Sequence, residues 1–370
     1  MPHDPYKALY IHLPFCKHRC AYCDFTTRAV APDSVEIDEY IDNLILELRR
    51  KAKEGELAEI ETVYLGGGTP SFVGQARLSK LLYALGVSMN LTPEVECSME
   101  ANPDSLTPEL IRDIYALGVN RLSIGVQSFD DGLLKTLDRI HDSARAKQAV
   151  LDARERFENV SVDLMCGVPG QTPEMFEADV QTAVDLGVTH VSVYPLTIED
   201  HIPFRRMVYS GEIDDVDQDK EALMMSMAPN VLTPAGFHRY EVASYAREGF
   251  ECKHNIAYWT GVPYLGLGIS AVTMTQNDAR RMRVQDGEVQ DDLDRKQMCA
   301  EDLMMKMRMT RGVSDDELFA AAVVIPGALD VFNSLVRDKL VKREDGRWKP
   351  TFGGWLLGNE LYGRIYELAP

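Results

Sequence analysis

Short apolar segments alternate with longer segments of helical periodicity from Ala8 to about Glu199, and this alternation constrains the fold more than any other feature of the chain. The apolar segments predict strands near residues 8–14, 61–66, 94–100, 121–127, 160–166 and 189–195. Repeated units of one strand and one helix build parallel sheets. We therefore predict an α/β fold, and the six units fit an open, partial (β/α)6 barrel better than a closed eightfold one, although the pattern leaves closure undecided.

Several of these strands alternate between apolar and polar residues, which a parallel strand buried on both faces would not do. In the third strand, Cys97 and Met99 share one face. Ser98 and Glu100 share the other. We expect the apolar face to pack against the helices and the polar face to hold a polar ligand. A solvent-facing antiparallel sheet is the alternative, and the helices between the strands disfavour it.

The length of the chain predicts more than one domain. At 370 residues it exceeds the roughly 250–300 residues at which single hydrophobic cores stop growing. After about residue 237 the alternation of strands and helices is lost, and glycine-rich and aromatic segments follow. We predict a barrel domain over residues 1–237 and a smaller α+β domain over residues 238–370.

The charge balance narrows the choice of partners. There are 39 Lys and Arg residues against 58 Asp and Glu residues, which gives a formal net charge of −19. Such a chain repels phosphate backbones and anionic lipid surfaces, so we expect neither a nucleic acid nor a membrane as partner. The sequence contains no apolar run long enough for a transmembrane helix and begins without the pattern of a signal peptide. We expect a cytoplasmic protein.

Three of the seven cysteines fall in one short window, Cys16, Cys20 and Cys23, directly after the first predicted strand. Parallel α/β folds place their reactive groups at this end of their strands. The spacing C-x3-C-x2-C provides three ligands for a [4Fe–4S] cluster and leaves the fourth iron open. Zinc is the rival, with His12 or His18 as a fourth ligand, but no second cysteine pair follows.

Four ordered segments strengthen the cluster interpretation: Tyr10–Cys16, Gly66–Ser71, Gly125–Phe129 and Asp163–Thr172. With the cysteine spacing, they resemble the radical S-adenosylmethionine (SAM) superfamily. The resemblance runs from about residue 8 to about residue 275 and is closest to the branch of oxygen-independent coproporphyrinogen III oxidase and the heme chaperone HemW. It implies a [4Fe–4S] cluster, SAM, and a reductant such as flavodoxin or ferredoxin.

The resemblance also implies which residues contact SAM. Glycines let the backbone approach a ligand closely, carboxylates accept hydrogen bonds from an ammonium group or ribose hydroxyls, and a guanidinium group suits a carboxylate. The positions that match those of the family are Tyr10, Tyr22, Gly67, Gly68, Thr69, Glu100, Gln127, Arg139 and Asp163.

Two features bear on the subfamily, a departure from the oxidases and a match to HemW-like chains. The oxidases carry a fourth cysteine two residues after the third, where this chain has Phe25. The segment His254–Trp259 reads H-N-x-x-Y-W, a motif of HemW-like chains. The resemblance implies heme binding there, with His254 as axial ligand in an aromatic loop. A loop with a packed tryptophan and a hydrogen-bonded histidine remains the alternative, and Gly266–Ala271 is closer to the oxidases.

The function we predict is that of a heme chaperone, which binds heme and passes it to an acceptor protein. The alternatives are an enzyme of porphyrin biosynthesis that resembles coproporphyrinogen III oxidase, and a radical SAM methyltransferase. In each case the barrel would support cleavage of SAM, while the missing fourth cysteine argues against coproporphyrinogen decarboxylation.

Overall fold

The computed structural model describes residues 3–89 and 91–370. The strands of the first 200 residues are β1 Ala8–Leu13, β2 Phe15–Cys16, β3 Arg28–Ala29, β4 Thr62–Gly67, β5 Glu96–Ala101, β6 Arg121–Gln127, β7 Asn159–Cys166 and β8 His190–Pro195. The helices up to residue 232 are α1 Val35–Lys53, α2 Gln75–Ser88, α3 Pro108–Ala116, α4 Asp131–Thr136, α5 Ser143–Arg154, α6 Pro173–Asp185, α7 Pro203–Ser210 and α8 Gln218–Leu232. A short 3₁₀ turn covers Pro70–Val73.

Six parallel strands form the centre of the largest sheet, in the order β1-β4-β5-β6-β7-β8. Their spatial order follows their order in the chain, so each helical connection leads to the neighbouring strand. Among the described residues β1 and β8 do not pair, so the six strands form an open arc. The prediction of an α/β fold with a partial (β/α)6 barrel is confirmed.

The arc continues at both edges with strands from beyond residue 237. The strand β9 His238–Arg239 and the strand β10 Ser244–Ala246 extend the β8 edge. At the β1 edge the sheet adds β11 Tyr264–Leu267, β12 Val272–Asn277, β13 Arg280–Gln285 and β14 Glu288–Asp294. Both sides of residue 237 share this sheet, and the division of the chain at that residue remains a prediction.

The last segment of the chain packs around a separate hydrophobic core. Its elements are α10 Arg295–Lys306, β15 Val313–Ser314, α11 Asp315–Val324, α12 Ala328–Arg337, β16 Val341–Glu344, β17 Arg347–Pro350, α13 Phe352–Leu356 and α14 Gly358–Tyr366. Phe332 and Trp348 meet edge to face in this core, with ring centroids 5.8 Å apart. The mixture of short strands and helices matches the predicted α+β character of this region.

The expectation of a loop around His254 is wrong, because the segment forms the helix α9 Lys253–Trp259. The residue before this helix, Cys252, makes no capping hydrogen bond with its side chain. Instead the buried carboxylate of Glu96 on β5 accepts hydrogen bonds from the backbone N–H groups of Lys253, at 3.0 Å, and His254, at 3.1 Å. A carboxylate satisfies the free N–H groups of a helix N-terminus and interacts favourably with the helix dipole.

Candidate functional site

A cavity of 340 Å³ lies at the carboxyl ends of the parallel strands. It brings together most of the residues singled out from the sequence: Cys16, Cys20, Tyr22, Cys23, Gly67, Gly68, Thr69, Glu100, Gln127, Arg139 and Asp163. Tyr10 and His254 are not among its lining residues. The apolar and polar faces of the strands are arranged as predicted, since Leu9, Ile11 and Leu13 are buried in the core between sheet and helices.

The three cysteines are carried by β2 and by the loop that follows it. The Thr69 hydroxyl donates a hydrogen bond to the Cys16 Sγ, at 3.5 Å. The Arg139 guanidinium donates to the Cys20 Sγ, at 3.7 Å, and to the Tyr22 hydroxyl, at 3.4 Å. Burial raises the pKa of Cys16 and of Cys20, and these donors oppose the shift. The net shift favours the neutral thiol at both positions, so a bound metal would displace these protons, since cysteine binds metals as the thiolate.

The donor set fits a cluster of several irons. Within residues 3–89 and 91–370, no three His, Cys, Asp or Glu side chains converge on a point as the ligands of a single metal ion do. All three cysteines line the same cavity. A [4Fe–4S] cluster offers a separate iron to each thiolate, so its ligands need not converge on a single point.

The glycines at the end of β4 and directly after it hold the cysteine segment close to the barrel. The Gly68 N–H donates to the Leu13 carbonyl, at 2.9 Å, and the Thr69 N–H donates to the Phe15 carbonyl, at 2.8 Å. A Cβ atom at Gly68 would lie 2.8 Å from the Phe15 oxygen, and Gly67 has a φ of +111° beside the His12 ring. Side chains at these positions would push the two segments apart.

Two half-buried carboxylates face the cavity from β5 and β7. Glu100 accepts hydrogen bonds from the Tyr64 hydroxyl, at 2.9 Å, and from the Gly67 N–H, at 3.1 Å. Asp163 accepts from the Ser123 hydroxyl, at 3.2 Å. Burial, followed by the negative charge of Asp163, raises the pKa of Glu100 to about 7, and burial also raises the pKa of Asp163. Two such groups favour a cationic ligand between them.

Arg139 makes more contacts with the protein than the sequence suggested. Besides the cysteine loop, its guanidinium donates to the Asn102 side-chain oxygen, at 2.9 Å, and to the Gly125 carbonyl, at 2.7 Å. The side chain thus ties the cysteine loop to the ends of β5 and β6. Gln127 lies nearby with a φ of 69°, at an irregularity in the pairing of β6 with β7. Such conformations of non-glycine residues concentrate at functional sites.

Tyr10 and His254 lie behind the cavity, on either side of Tyr64. The Tyr10 hydroxyl shares a hydrogen bond with the His12 ring, at 3.0 Å, and its own ring stacks on Tyr64, with centroids 6.3 Å apart. His254 stacks on Tyr64 at 5.1 Å, and its Nδ1 shares a hydrogen bond of 2.9 Å with the Thr62 hydroxyl. The His254 residue is 2% exposed, and burial lowers its pKa to about 3, so the ring is neutral.

Several residues of the site were not singled out from the sequence. Asn102 and Tyr194 line the cavity, and Tyr64 both lines it and holds Glu100. Tyr64 alternates with the buried Val63 and Leu65, so the sequence pattern could have placed it on the polar face of β4. Asn102 directly follows β5, so it could likewise have been placed at the carboxyl end of that strand.

The comparisons with known proteins agree with this geometry. The sequence model described as the radical SAM superfamily matches residues 10–183. The heme chaperone HemW of Bacillus subtilis is 33% identical over 96% of this chain and 98% of its own length. The chain belongs to the HemW family of the radical SAM superfamily. HemW of Mycobacterium tuberculosis H37Rv is 40% identical to this HemW-family chain, over 73% of it and 70% of the relative.

A solved structure shows the same fold. The coproporphyrinogen III oxidase HemN from Escherichia coli, described as a radical SAM enzyme, superimposes with a TM-score of 0.81 and 21% sequence identity. The match covers 98% of this chain and 90% of the HemN chain. At 21% identity, this comparison shows a shared fold and nothing about function.

Membership of the superfamily implies a [4Fe–4S] cluster and SAM, and the cavity fits both. The thiols of Cys16, Cys20 and Cys23 would hold the cluster, and the two carboxylates together with the glycine backbone would hold SAM. When bound, the cluster would supply an electron to SAM. The chain's own residues bind and orient the ligands and exclude water. No helix in the described part of the chain is long and apolar enough to cross a membrane.

The first prediction concerns the cluster. Anaerobic reconstitution of the wild-type protein should give about four irons per chain, because three thiolates anchor one cluster. Changing Cys16, Cys20 or Cys23 to Ala should abolish the iron content and the visible absorbance. Cys97→Ala is the matched control, because Cys97 is buried in the core away from the cavity and should leave both unchanged. Stoichiometric zinc without iron would refute this assignment.

The second prediction concerns Glu100 and pH. Ionised Glu100 attracts cationic SAM, and the pKa of Glu100 is raised to about 7. SAM affinity should therefore increase by up to roughly tenfold between about pH 6 and about pH 8, as the carboxylate ionises. Glu100→Gln should flatten this dependence in anaerobic calorimetry, whereas the exposed Glu109→Gln should preserve it. An equally steep pH dependence in Glu100→Gln would exclude this role for the carboxylate.

Proposed function

We propose that this chain is a heme chaperone, which binds heme and passes it to an acceptor protein while its barrel cavity holds a [4Fe–4S] cluster and SAM. The observation that carries the proposal is the near full-length similarity to the heme chaperone HemW of Bacillus subtilis, which includes the region beyond the barrel. The SAM-binding residues proposed from the sequence are those that line the cavity, together with Tyr10 behind it.

The end of the cysteine loop supports the chaperone over the oxidase. Where the oxidases have a fourth cysteine, this chain has Phe25, which is 69% exposed and lines the cavity mouth. A thiol that the oxidase pattern requires is thus replaced by an aromatic ring at the entrance. An oxidase-like enzyme remains the second candidate, because HemN shares the whole fold.

The surface beside the cysteines supports a reductant as further partner. Lys17 and Arg19 are exposed between Cys16 and Cys20, on a chain whose net charge is −19, while His18 between them pairs with Asp138. Two exposed cations beside the cysteines attract an acidic protein by electrostatic steering. We propose a flavodoxin or a ferredoxin as the electron donor, and the cytoplasm as the location of the exchange.

We also propose His254 as the axial ligand of heme. In the structure its ring is enclosed, so it has to move before it can bind iron. Its ring is enclosed between Tyr64 and Tyr258, with both centroid distances at 5.1 Å. Its Nε2 is buried and has no hydrogen-bond partner among the residues described. A porphyrin iron can reach this nitrogen when the ring leaves its contact with Thr62 and Tyr64.

The third prediction tests heme binding and its ligand. Hemin titrated into the wild-type protein should give a saturable, sharpened Soret band. His254→Ala should shift or abolish this band, because the axial imidazole is lost. Thr62→Val should retain it with equal or higher affinity, since it removes the hydrogen bond that holds the ring inside. His238→Ala, at an exposed histidine paired with Glu251, is the matched control.

Two outcomes separate the parts of this proposal. An unchanged Soret band in His254→Ala would show that another group ligates the iron, while heme binding itself would stand. A wild-type protein that binds no more hemin than an unrelated acidic protein would overturn the chaperone function.

A further inference from the structure

A cluster of buried hydrogen-bond donors lies where the segment 239–245 meets the C-terminal elements. Within the described ranges, these donor atoms are buried and have no acceptor: Arg239 Nε and Nη1, Tyr245 Oη, Trp259 Nε1, Arg308 Nε, Trp355 Nε1 and Tyr362 Oη. We call these six residues the donor cluster. Trp348, by contrast, donates its indole N–H to Asp315 at 2.8 Å.

The two arginines tie the donor cluster together. The Arg239 guanidinium lies over the rings of Trp355, at 4.2 Å, and Tyr245, at 5.3 Å. The Arg308 guanidinium lies over the rings of Trp259, at 4.6 Å, and Tyr362, at 5.1 Å. Burial raises the pKa of Tyr362, and both arginines oppose that shift, so both lie near its hydroxyl.

This arrangement is costly for the protein alone. A buried donor without a partner keeps the full cost of its lost hydration, and folded proteins leave few such groups. Tyr245 is 1% exposed, so its hydroxyl cannot turn to bulk water. Glu241 is buried beside the arginines, and burial raises its pKa despite their charges. The cluster thus combines two cations and several neutral donors with one buried carboxyl group.

The missing partners are acceptors, and the chemistry of the donors indicates which kind. Guanidinium groups bind carboxylates with short, charge-assisted hydrogen bonds. Indole N–H groups and phenol hydroxyls can add further donors to the same oxygens. The cluster is therefore suited to carboxylates that enter from outside the chain.

A groove of 400 Å³ adjoins the cluster and offers room for a flat ligand. Trp355 and Phe352 line this groove and also contact Arg239, with Phe352 at 5.8 Å. Lys342 and Lys349 lie on its rim, where both pair with Glu344, at 3.0 and 3.3 Å. The groove thus has aromatic walls beside two lysines that share the Glu344 carboxylate, and these walls match a flat apolar ring.

We propose that the donor cluster binds the propionate carboxylates of heme, with Arg239 and Arg308 as the charged partners and the porphyrin edge in the adjoining groove. This inference rests on the proposed function and names the place where heme binds. It also explains how the motif His254–Trp259 contributes to heme binding. The first turn of α9 packs against Tyr64 in the barrel, whereas Trp259 at its other end lies under Arg308.

Binding of hemin and of hemin dimethyl ester to the full-length, cluster-loaded protein tests this inference. The ester carries no propionate charge. Arg239→Gln and Arg308→Gln should each lower hemin affinity by roughly tenfold, because a charge-assisted hydrogen bond is lost. The ester should bind more weakly than hemin to the wild-type protein and equally to the wild type and both variants. Arg239→Lys, which keeps the charge without the planar fork, should recover part of the loss.

Arg247→Gln is the matched control, because Arg247 also lies over an aromatic ring, Phe237 at 4.6 Å, but outside the donor cluster. It should bind hemin like the wild-type protein. Circular dichroism and the iron content report whether each variant folds. Unchanged hemin affinity in Arg239→Gln and Arg308→Gln would overturn the inference and leave ordered water as the partner of the donors, with the chaperone function intact. Absence of hemin binding in the wild type would overturn both.

Discussion

The close approach of two segments, Leu13–Cys16 and Gly66–Thr69, is the constraint on which the rest of the site depends. Backbone hydrogen bonds at 2.8 and 2.9 Å join them, and a side chain at Gly68 would separate them. Because the segments meet, the Thr69 hydroxyl reaches the Cys16 sulfur, and the Gly67 N–H beside it donates to Glu100. One backbone contact thus positions both the cysteine segment and a carboxylate of the cavity.

Tyr64 connects the cavity to the helix α9. Its hydroxyl donates a hydrogen bond to Glu100, and its ring stacks on His254. Glu96 holds the first turn of α9, whose far end reaches the donor cluster at Arg308. A continuous path of contacts therefore connects the SAM cavity with the C-terminal elements. The short helix α9 carries both His254, the proposed axial ligand, and Trp259, a member of the donor cluster.

The sequence predicted the parts of the molecule that depend on local pattern. The alternation of strands and helices identified the parallel strands, and the polar faces of these strands identified Glu100 and Asp163. Parallel strands end at a common edge, so residues at their carboxyl ends are brought together whatever the details of the loops. The cysteine spacing could be interpreted because its ligands lie on one short segment.

Long-range contacts account for what the sequence did not predict. The helix α9 is capped by Glu96, which lies 157 residues from Lys253 along the chain. No local sequence pattern predicts this contact. The donor cluster likewise joins arginines and aromatic residues from separate segments, and its lack of acceptors among the described residues emerges from their packing. His254 is buried because Tyr64 and Thr62 contact its ring, and both residues are also far from it along the chain.

The most direct test of the central claim, that this radical SAM chain handles heme rather than making its precursor, is an anaerobic turnover assay. Reconstituted protein with SAM and dithionite would be supplied with coproporphyrinogen III, and decarboxylated product would be measured. We expect no product above the level of the Cys16→Ala variant, from a preparation that does bind hemin. Stoichiometric or greater decarboxylation that requires the cluster would contradict it.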